Sequence, residues 1–347
     1  MKSKNLSEKI LRSVKSKGFK YIELPSVIEA NHIVQRSGEN FRKFMFSFTD
    51  INGKELCLRP DLTIASCLRY LEGNFKGKEK IFYSGQAYRK VESKKDKIIR
   101  NQVGFEILGS KDEKNDDKEI INTSIKILQD FKFSSGTLTI GNIEIFNLLI
   151  SKLDIPKRWK LRLSRHFWRE KYFNDLLKRL ETNADIDPTI VEIDKKRYLD
   201  LLNKNPETII AGRSVGEILK RFDTKIKDPR QAKRGNKVSK IIKSFLKISC
   251  PINKAAMELN KFFKKNKINL VVDQRYFPIS SNKLSKLNVK FSTSFGRHLE
   301  YYSGMVFKID VKSKSTTIKC AGGRYDRLIS DLGSKKQVPA VGAAFNL

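Results

Sequence analysis

The chain has 347 residues, and its 71 lysines and arginines outweigh 38 acidic residues to give a net charge of +33. That length suffices for a sizeable core in one large or two ordinary domains, and no apolar run approaches the roughly 18 residues that mark a membrane span. Four cysteines (57, 67, 250 and 320) without paired spacing, and three histidines (32, 166 and 298), indicate neither a disulfide framework nor a metal site.

In chain order, Asn5 and Glu8 read as a capping box for a helix that places Ile10, Leu11 and Val14 on one face. Its charged start, MKSKNLSEKI, has no apolar signal core, so a cytoplasmic protein is expected. A strand at 20–24 follows, and FSFTDINGKELCLR reads as a hairpin turning at Asn52-Gly53. Asp61, just after Pro60, is placed to cap a helix that carries Ile64, Leu68 and Leu71. Strands at 80–89 and 100–108 flank a lysine-rich loop; a helix at 118–131, a strand at 137–141 and a helix at 142–152 come next. From 156 to 265 the apolar spacing is helical, which marks a candidate insertion. Strand patterns return at INLVVD (268–273), KFSTS, EYYSGMVFKIDV and STTIKCA, before GGRYDRLISDL turns into a last helix. Strands and helices alternating around an antiparallel sheet give an α+β fold.

A pI near 9.9 ordinarily points to a polyanionic partner. Here the lysines are spread along the chain beside abundant Ile, Asn and Phe, the bias an AT-rich genome imposes, so the charge is read as background. The densest basic stretches, 76–100 and 225–243, stay open as places for nucleotide phosphates or an acidic partner.

Side chains alternate between the faces of a strand, so Gln102, Gly104 and Glu106 share one face while Val103, Phe105 and Ile107 pack on the other. Gly104 leaves room between amide and carboxylate, an opening suited to a small cationic or zwitterionic molecule. An α-ammonium group needs acceptors, which Asp61, Thr63 and Gln102 supply, and an α-carboxylate suits the forked donors of Arg297. Each residue also has a plainer reading on its own. Asp61 is then only a helix cap, Glu106 a strand-edge charge with a lysine partner, and Tyr301-Tyr302 a core pair.

Taken together, the segments GFKYIELPSVIEANHI, LRPDLT, YSGQAYR through NQVGFEILG, RHLEYYSGMVF and CAGGRYDRL resemble, in order, the motifs of class II aminoacyl-tRNA synthetases of the histidyl type. The resemblance implies a synthetase-like antiparallel core flanked by helices over 1–347, with a helical insertion at 156–265 and dimerisation through the first motif. It also implies a histidine-binding set of Asp61, Thr63, Arg89, Gln102, Glu106, Arg297, Tyr301 and Tyr302, in which Glu106 and Tyr302 read the imidazole.

The chain departs from the synthetase pattern at three places. Val91 stands where synthetases carry a glutamate two residues after the second-motif arginine, matched here by Arg89, and Ile98 or Ile99 stands near an expected further arginine. The sequence stops at Leu347, before the third-motif arginine and any anticodon-binding domain. These departures imply lost adenylation, no catalytic residues, no cofactor and no tRNA partner. A histidine pocket without that chemistry resembles the family of regulatory subunits of ATP phosphoribosyltransferase, which partner a short catalytic subunit and confer histidine feedback; Asp61 in LRPDLT favours that family further. Two other readings stay open, a histidyl-tRNA synthetase core and a paralogue with another amino-acid-dependent role.

Overall fold

The computed structural model describes every residue except 1, 38, 74–76, 92–96, 132–134, 183–187, 211, 227–230, 280–286, 298–300 and 314–315. The chain falls into two compact units, one of Met1–Ile145, Ser249–Asn260 and Val272–Leu347, the other of Phe146–Ile248 and Lys261–Val271. The helical stretch expected at 156–265 is therefore shared, because Ser249–Asn260 belongs with the first unit.

The chain opens with α1 (Lys2–Lys15), β1 (Lys20–Tyr21), β2 (Val27–Glu29), α2 (Ala30–Ser37), β3 (Ser47–Thr49), β4 (Glu55–Leu58) and α3 (Leu62–Glu72). It continues through β5 (Glu79–Tyr88), β6 (Ile99–Leu108), α4 (Glu113–Gln129), β7 (Ser135–Asn142) and α5 (Ile143–Lys152). Next come α6 (Lys157–Arg165), α7 (Glu170–Thr182), α8 (Pro188–Leu202), β8 (Ile209–Ile210), β9 (Arg213–Ser214), α9 (Val215–Ile226) and α10 (Ala232–Phe245). The last elements are β10 (Ser249–Pro251), α11 (Ala255–Lys265), β11 (Leu287–Ser292), β12 (Met305–Ser313), β13 (Thr316–Arg324), α12 (Leu328–Asp331) and β14 (Ala340–Asn346).

The first unit is built on a nine-stranded sheet in the order β1-β5-β6-β14-β13-β12-β7-β11-β10. Its pairs are antiparallel except β1 with β5 and β7 with β11. One face of the β6 region is apolar: Val103, Phe105, Ile107 and Phe345 are at most 1% exposed, and Phe105 meets Phe19 edge-on and Phe345 in a stack. Each such side chain contributes about 1.5–3 kcal/mol through burial, which fixes the register and so dictates what the opposite face presents. A separate sheet, β2-β4-β3, contains the expected hairpin, and Gly53 supplies its turn with φ +79°.

Two elements differ from expectation. Helix α1 already runs from Lys2, so Asn5 lies within it and does not cap it. INLVVD is not a strand, because the Asn260 side chain takes the place of a strand partner: it accepts from the Val272 amide at 2.9 Å and donates to the Val272 carbonyl at 2.8 Å.

The second unit is helical around Trp159, Phe173 and Phe245, all buried, with the Phe146 and Phe167 rings stacked 3.7 Å apart. Helices α7 and α10 cross at Gly235, where a Cβ would lie 1.9 Å from the Leu180 carbonyl oxygen, so only glycine permits this approach.

Candidate functional site

Directly paired residues point to one face of a sheet. Gln102, Gly104 and Glu106 of β6 pair with Gly85, Tyr83 and Ile81 of β5 and with Asn346, Ala344 and Gly342 of β14; Gly342 in turn pairs with Gly323 of β13. This face is floored by small residues, and four of its glycines each seat a larger side chain. An added Cβ at Gly85 would meet Arg59 at 2.5 Å, at Gly104 the Tyr83 ring at 2.4 Å, at Gly323 the Tyr302 ring at 2.9 Å, and at Gly342 the Glu106 carboxylate at 1.2 Å.

The room that Gly104 was expected to leave for a ligand is thus taken by Tyr83. The reason lies in the register: Tyr83 is directly opposite Gly104, and its ring folds over the vacant Cβ position.

Glu106 is the centre of the arrangement. It is 1% exposed, and both carboxylate oxygens accept phenolic hydrogen bonds, Oε1 from Tyr83 and Oε2 from Tyr325, each at 2.6 Å. Thr63 Oγ1 donates to Oε1 at 3.2 Å. Burial pushes the carboxyl up to about 7; the hydrogen bonds from Tyr325, Tyr83 and Thr63 hold it down against burial, and the Asp61 charge adds to the rise. Glu106 is therefore poised between its charged and neutral forms near pH 7. The expected alternative, a strand-edge charge with a lysine partner, is excluded by these phenolic partners.

Asp61 caps α3, accepting from the Ile64 amide at 3.0 Å, and its other oxygen lies 3.6 Å from Arg89 Nη2. Arg89 is fixed from its other side, since Nε donates to the Pro60 carbonyl at 2.7 Å. Tyr301 contacts Tyr302 and Tyr325, with ring centroids 5.0 and 5.9 Å apart. Burial raises the Tyr301 and Tyr302 hydroxyls, and Asp61 and Glu106 push them further the same way, so both stay neutral phenols.

Of the sequence-derived set, the structure brings together Asp61, Thr63, Arg89, Glu106, Tyr301 and Tyr302. Gln102 shares their face but sits at its open end, donating to Asn346 Oδ1 at 2.7 Å. Arg297 is buried after β11, and His298 beside it lies outside the described residues. Two members were missed, Tyr83 and Tyr325. Tyr83 was legible in principle from its spacing two before Gly85 on the inward face of YSGQAYR, but Tyr325 comes from the turn after β13, whose return to β6 no local pattern shows.

Arg59 and Arg324 are buried arginines with structural roles. Arg59 donates to the carbonyls of Leu24, Pro25 and Gln86, tying the first-motif segment to β5. Arg324 is clasped by Asp117 at 2.7 Å, Asp326 at 2.8 Å and the Glu113 carbonyl at 2.8 Å, which anchors the strand that delivers Tyr325. No group of residues fit to hold a metal ion occurs among the described residues.

Chemically, a buried carboxylate ringed by phenols, with Asp61 and Arg89 alongside, can take a small ligand that offers N–H donors and a carboxylate. Residues 1–347 match the family model described as histidyl-tRNA synthetase. The chain is 27% identical over 338 residues to a protein of Agrobacterium fabrum named ATP phosphoribosyltransferase regulatory subunit, covering 92% of this chain and 89% of that one. A protein of the same name from Allorhizobium ampelinum is 28% identical, with 96% and 93% covered. A solved structure from Bacillus halodurans, titled ATP phosphoribosyltransferase regulatory subunit/histidyl-tRNA synthetase, is similar in fold, with a TM-score of 0.57, 21% identity and coverage of 99% of this chain and 76% of that one.

Proposed function

This chain belongs to the histidyl-tRNA synthetase family, and within that family we propose that it works as the regulatory subunit of an ATP phosphoribosyltransferase. It would bind L-histidine at the Glu106 cluster and bias a short catalytic subunit toward or away from turnover. The observation that carries this reading is the match over about nine-tenths of both chains to relatives bearing that name. The site supports it, because Asp61, Thr63, Glu106, Tyr301 and Tyr302 converge with acceptors for N–H donors and Arg89 adjoins them.

The histidyl group is selected by geometry: Tyr83, Tyr325 and Thr63 hold the Glu106 carboxylate in place, and an analogue without an imidazole N–H forgoes a charge-assisted hydrogen bond to it. Adenylation is not part of the proposal, since Val91 and Ile98 or Ile99 stand where synthetases carry a glutamate and a further arginine. We place the protein in the cytoplasm, with 1–347 as one synthetase-like core bearing a helical insertion and no cofactor. Self-association as a dimer would cover Val27 and Phe48, which are exposed on the β2-β4-β3 sheet. Among the described residues no helix is long and apolar enough to cross a membrane.

Histidine regulates a partner only if it binds the partner's states unequally. A coupling of about 1–3 kcal/mol gives roughly 5–150-fold inhibition. Mixed with a short catalytic ATP phosphoribosyltransferase from the same source, the chain should raise its turnover and make it histidine-sensitive, and Glu106→Gln should relieve the sensitivity. Absence of a complex by size-exclusion chromatography contradicts the proposal. Histidine-dependent pyrophosphate exchange above a Glu106→Gln control would favour a synthetase instead.

A further inference from the structure

The positive charge is unevenly divided between the two units. The second unit carries 30 lysines and arginines against 13 acidic residues, a net +17, whereas the larger first unit carries 41 against 25, a net +16. A genome-wide lysine bias does not explain why four arginines (158, 162, 165 and 169) fall within twelve residues, where Glu170 is the one carboxylate between 157 and 172.

These residues form the elbow between α6 and α7. The His166 amide closes α6 on the Arg162 carbonyl, and the Arg169 amide donates to the His166 carbonyl at 3.1 Å, so the last turn of one helix and the start of the next converge on His166. Its ring meets Tyr172 edge-on with centroids 4.8 Å apart, and the Tyr172 hydroxyl accepts from Arg162 Nη2 at 3.2 Å. Arg169 lies over the Trp168 ring at 4.6 Å, and Arg162 over the buried Trp159 at 5.3 Å. Aromatic faces thus position the guanidinium groups without cancelling their charge. Burial and then Arg169, Arg165 and Arg162 lower His166 to about 4, so the charged groups acting on this imidazole are all cations. Buried Trp168 Nε1 and His166 Nδ1 have no hydrogen-bond partner among the described residues.

We propose that the α6–α7 elbow is a binding site for a small phosphorylated ligand, its phosphate held by Arg165 and Arg169, with the Trp168 N–H and a protonated His166 completing the donor set. Phosphate matches the fork of a guanidinium, and the buried Trp168 N–H without a described partner suits an oxygen of a compact ligand. The lysine face of α10 is a poorer candidate. Glu181 sits among Lys233, Lys237 and Lys240 there, already bonded to Lys243 and Ser239. The site is independent of the histidine reading.

The test is NMR of the histidine rings in the full chain, titrated with inorganic pyrophosphate, His166 being identified by His166→Asn. Pyrophosphate should shift the His166 signals saturably and raise its titration midpoint, because the bound anion offsets Arg162, Arg165 and Arg169. Arg165→Gln and Arg169→Gln should each weaken binding by about tenfold, the loss expected for one charge-assisted contact, with unchanged unfolding midpoints. An unmoved His166 signal, or equal affinity in both variants, overturns the proposal. So does tight binding of a short RNA at this elbow with no response to pyrophosphate, which would make it a polynucleotide surface.

Discussion

Glu106 in the first unit and His166 in the second are partly or wholly buried titratable groups displaced in opposite directions. Glu106 is raised to about 7 by burial, with phenols as its partners; His166 is lowered to about 4 by burial and three arginines. Each is held toward neutrality when empty, and each gains charge at low cost only when a ligand of opposite sign arrives. The difference lies in compensation. Both Glu106 oxygens already accept a hydrogen bond from the protein, whereas at the His166 elbow the buried Trp168 N–H has no described acceptor. On the proposed reading, the satisfied carboxylate selects its ligand by geometry and the cation cluster selects by charge.

The strongest way to break the comparison is Gly342→Ala. A methyl group there meets Glu106 Oε2 at 1.2 Å, so the carboxylate must leave its phenols. Overpacking of this kind costs about 1–3 kcal/mol of stability, and histidine binding should be lost by calorimetry while pyrophosphate binding at the elbow is unchanged. Tyr325→Phe is the next largest. It removes one hydrogen bond to the carboxylate, worth about 1.5–3 kcal/mol when that group is charged. The loss, read from denaturant unfolding, should be full at pH 8 and shrink at pH 5, where Glu106 is protonated.

The two groups also predict opposite pH slopes. Because the folded Glu106 value lies above the ordinary 4.5, the folded state holds the extra proton between pH 4.5 and about 7, and stability falls as pH rises through that window, by at most about 1.4 kcal/mol per pH unit. For His166 the folded value lies below 6.5, so stability falls as pH drops from 6.5 toward about 4, less steeply because the ring is partly solvated. Glu106→Gln should flatten the first slope alone and His166→Asn the second alone. The smallest effect is expected from Gln102→Ala, within about 0.5 kcal/mol in stability, since the amide is bonded to Asn346 at the solvent edge. A histidine affinity loss beyond tenfold in that variant would extend the pocket along β6.

Much of this contrast was legible in residue order. The alternation of Val103, Phe105 and Ile107 against Gln102, Gly104 and Glu106 fixed which face of β6 holds the site, and Asp61 is the helix cap its position after Pro60 suggested. What the sequence hid was long-range. Tyr83 fills the space over Gly104 through cross-strand register, and Tyr325 reaches Glu106 from 219 residues away. INLVVD has strand composition but no strand to pair with, because a single side chain, Asn260, satisfies its backbone at Val272. Arg162, Arg165 and Arg169 were visible as letters, yet their meaning needed the elbow that brings their charges to bear on one imidazole.

The central claim is that Glu106 is the seat of a histidine ligand, and calorimetric titration with L-histidine from pH 5 to 8, without ATP, tests it most directly. Wild-type protein should bind saturably, Glu106→Gln should bind roughly 10–150-fold more weakly at pH 8, and the gap between them should widen as pH rises through about 7, where Glu106 ionises. No heat at millimolar histidine, or equal affinity in the two proteins across that range, would contradict the account.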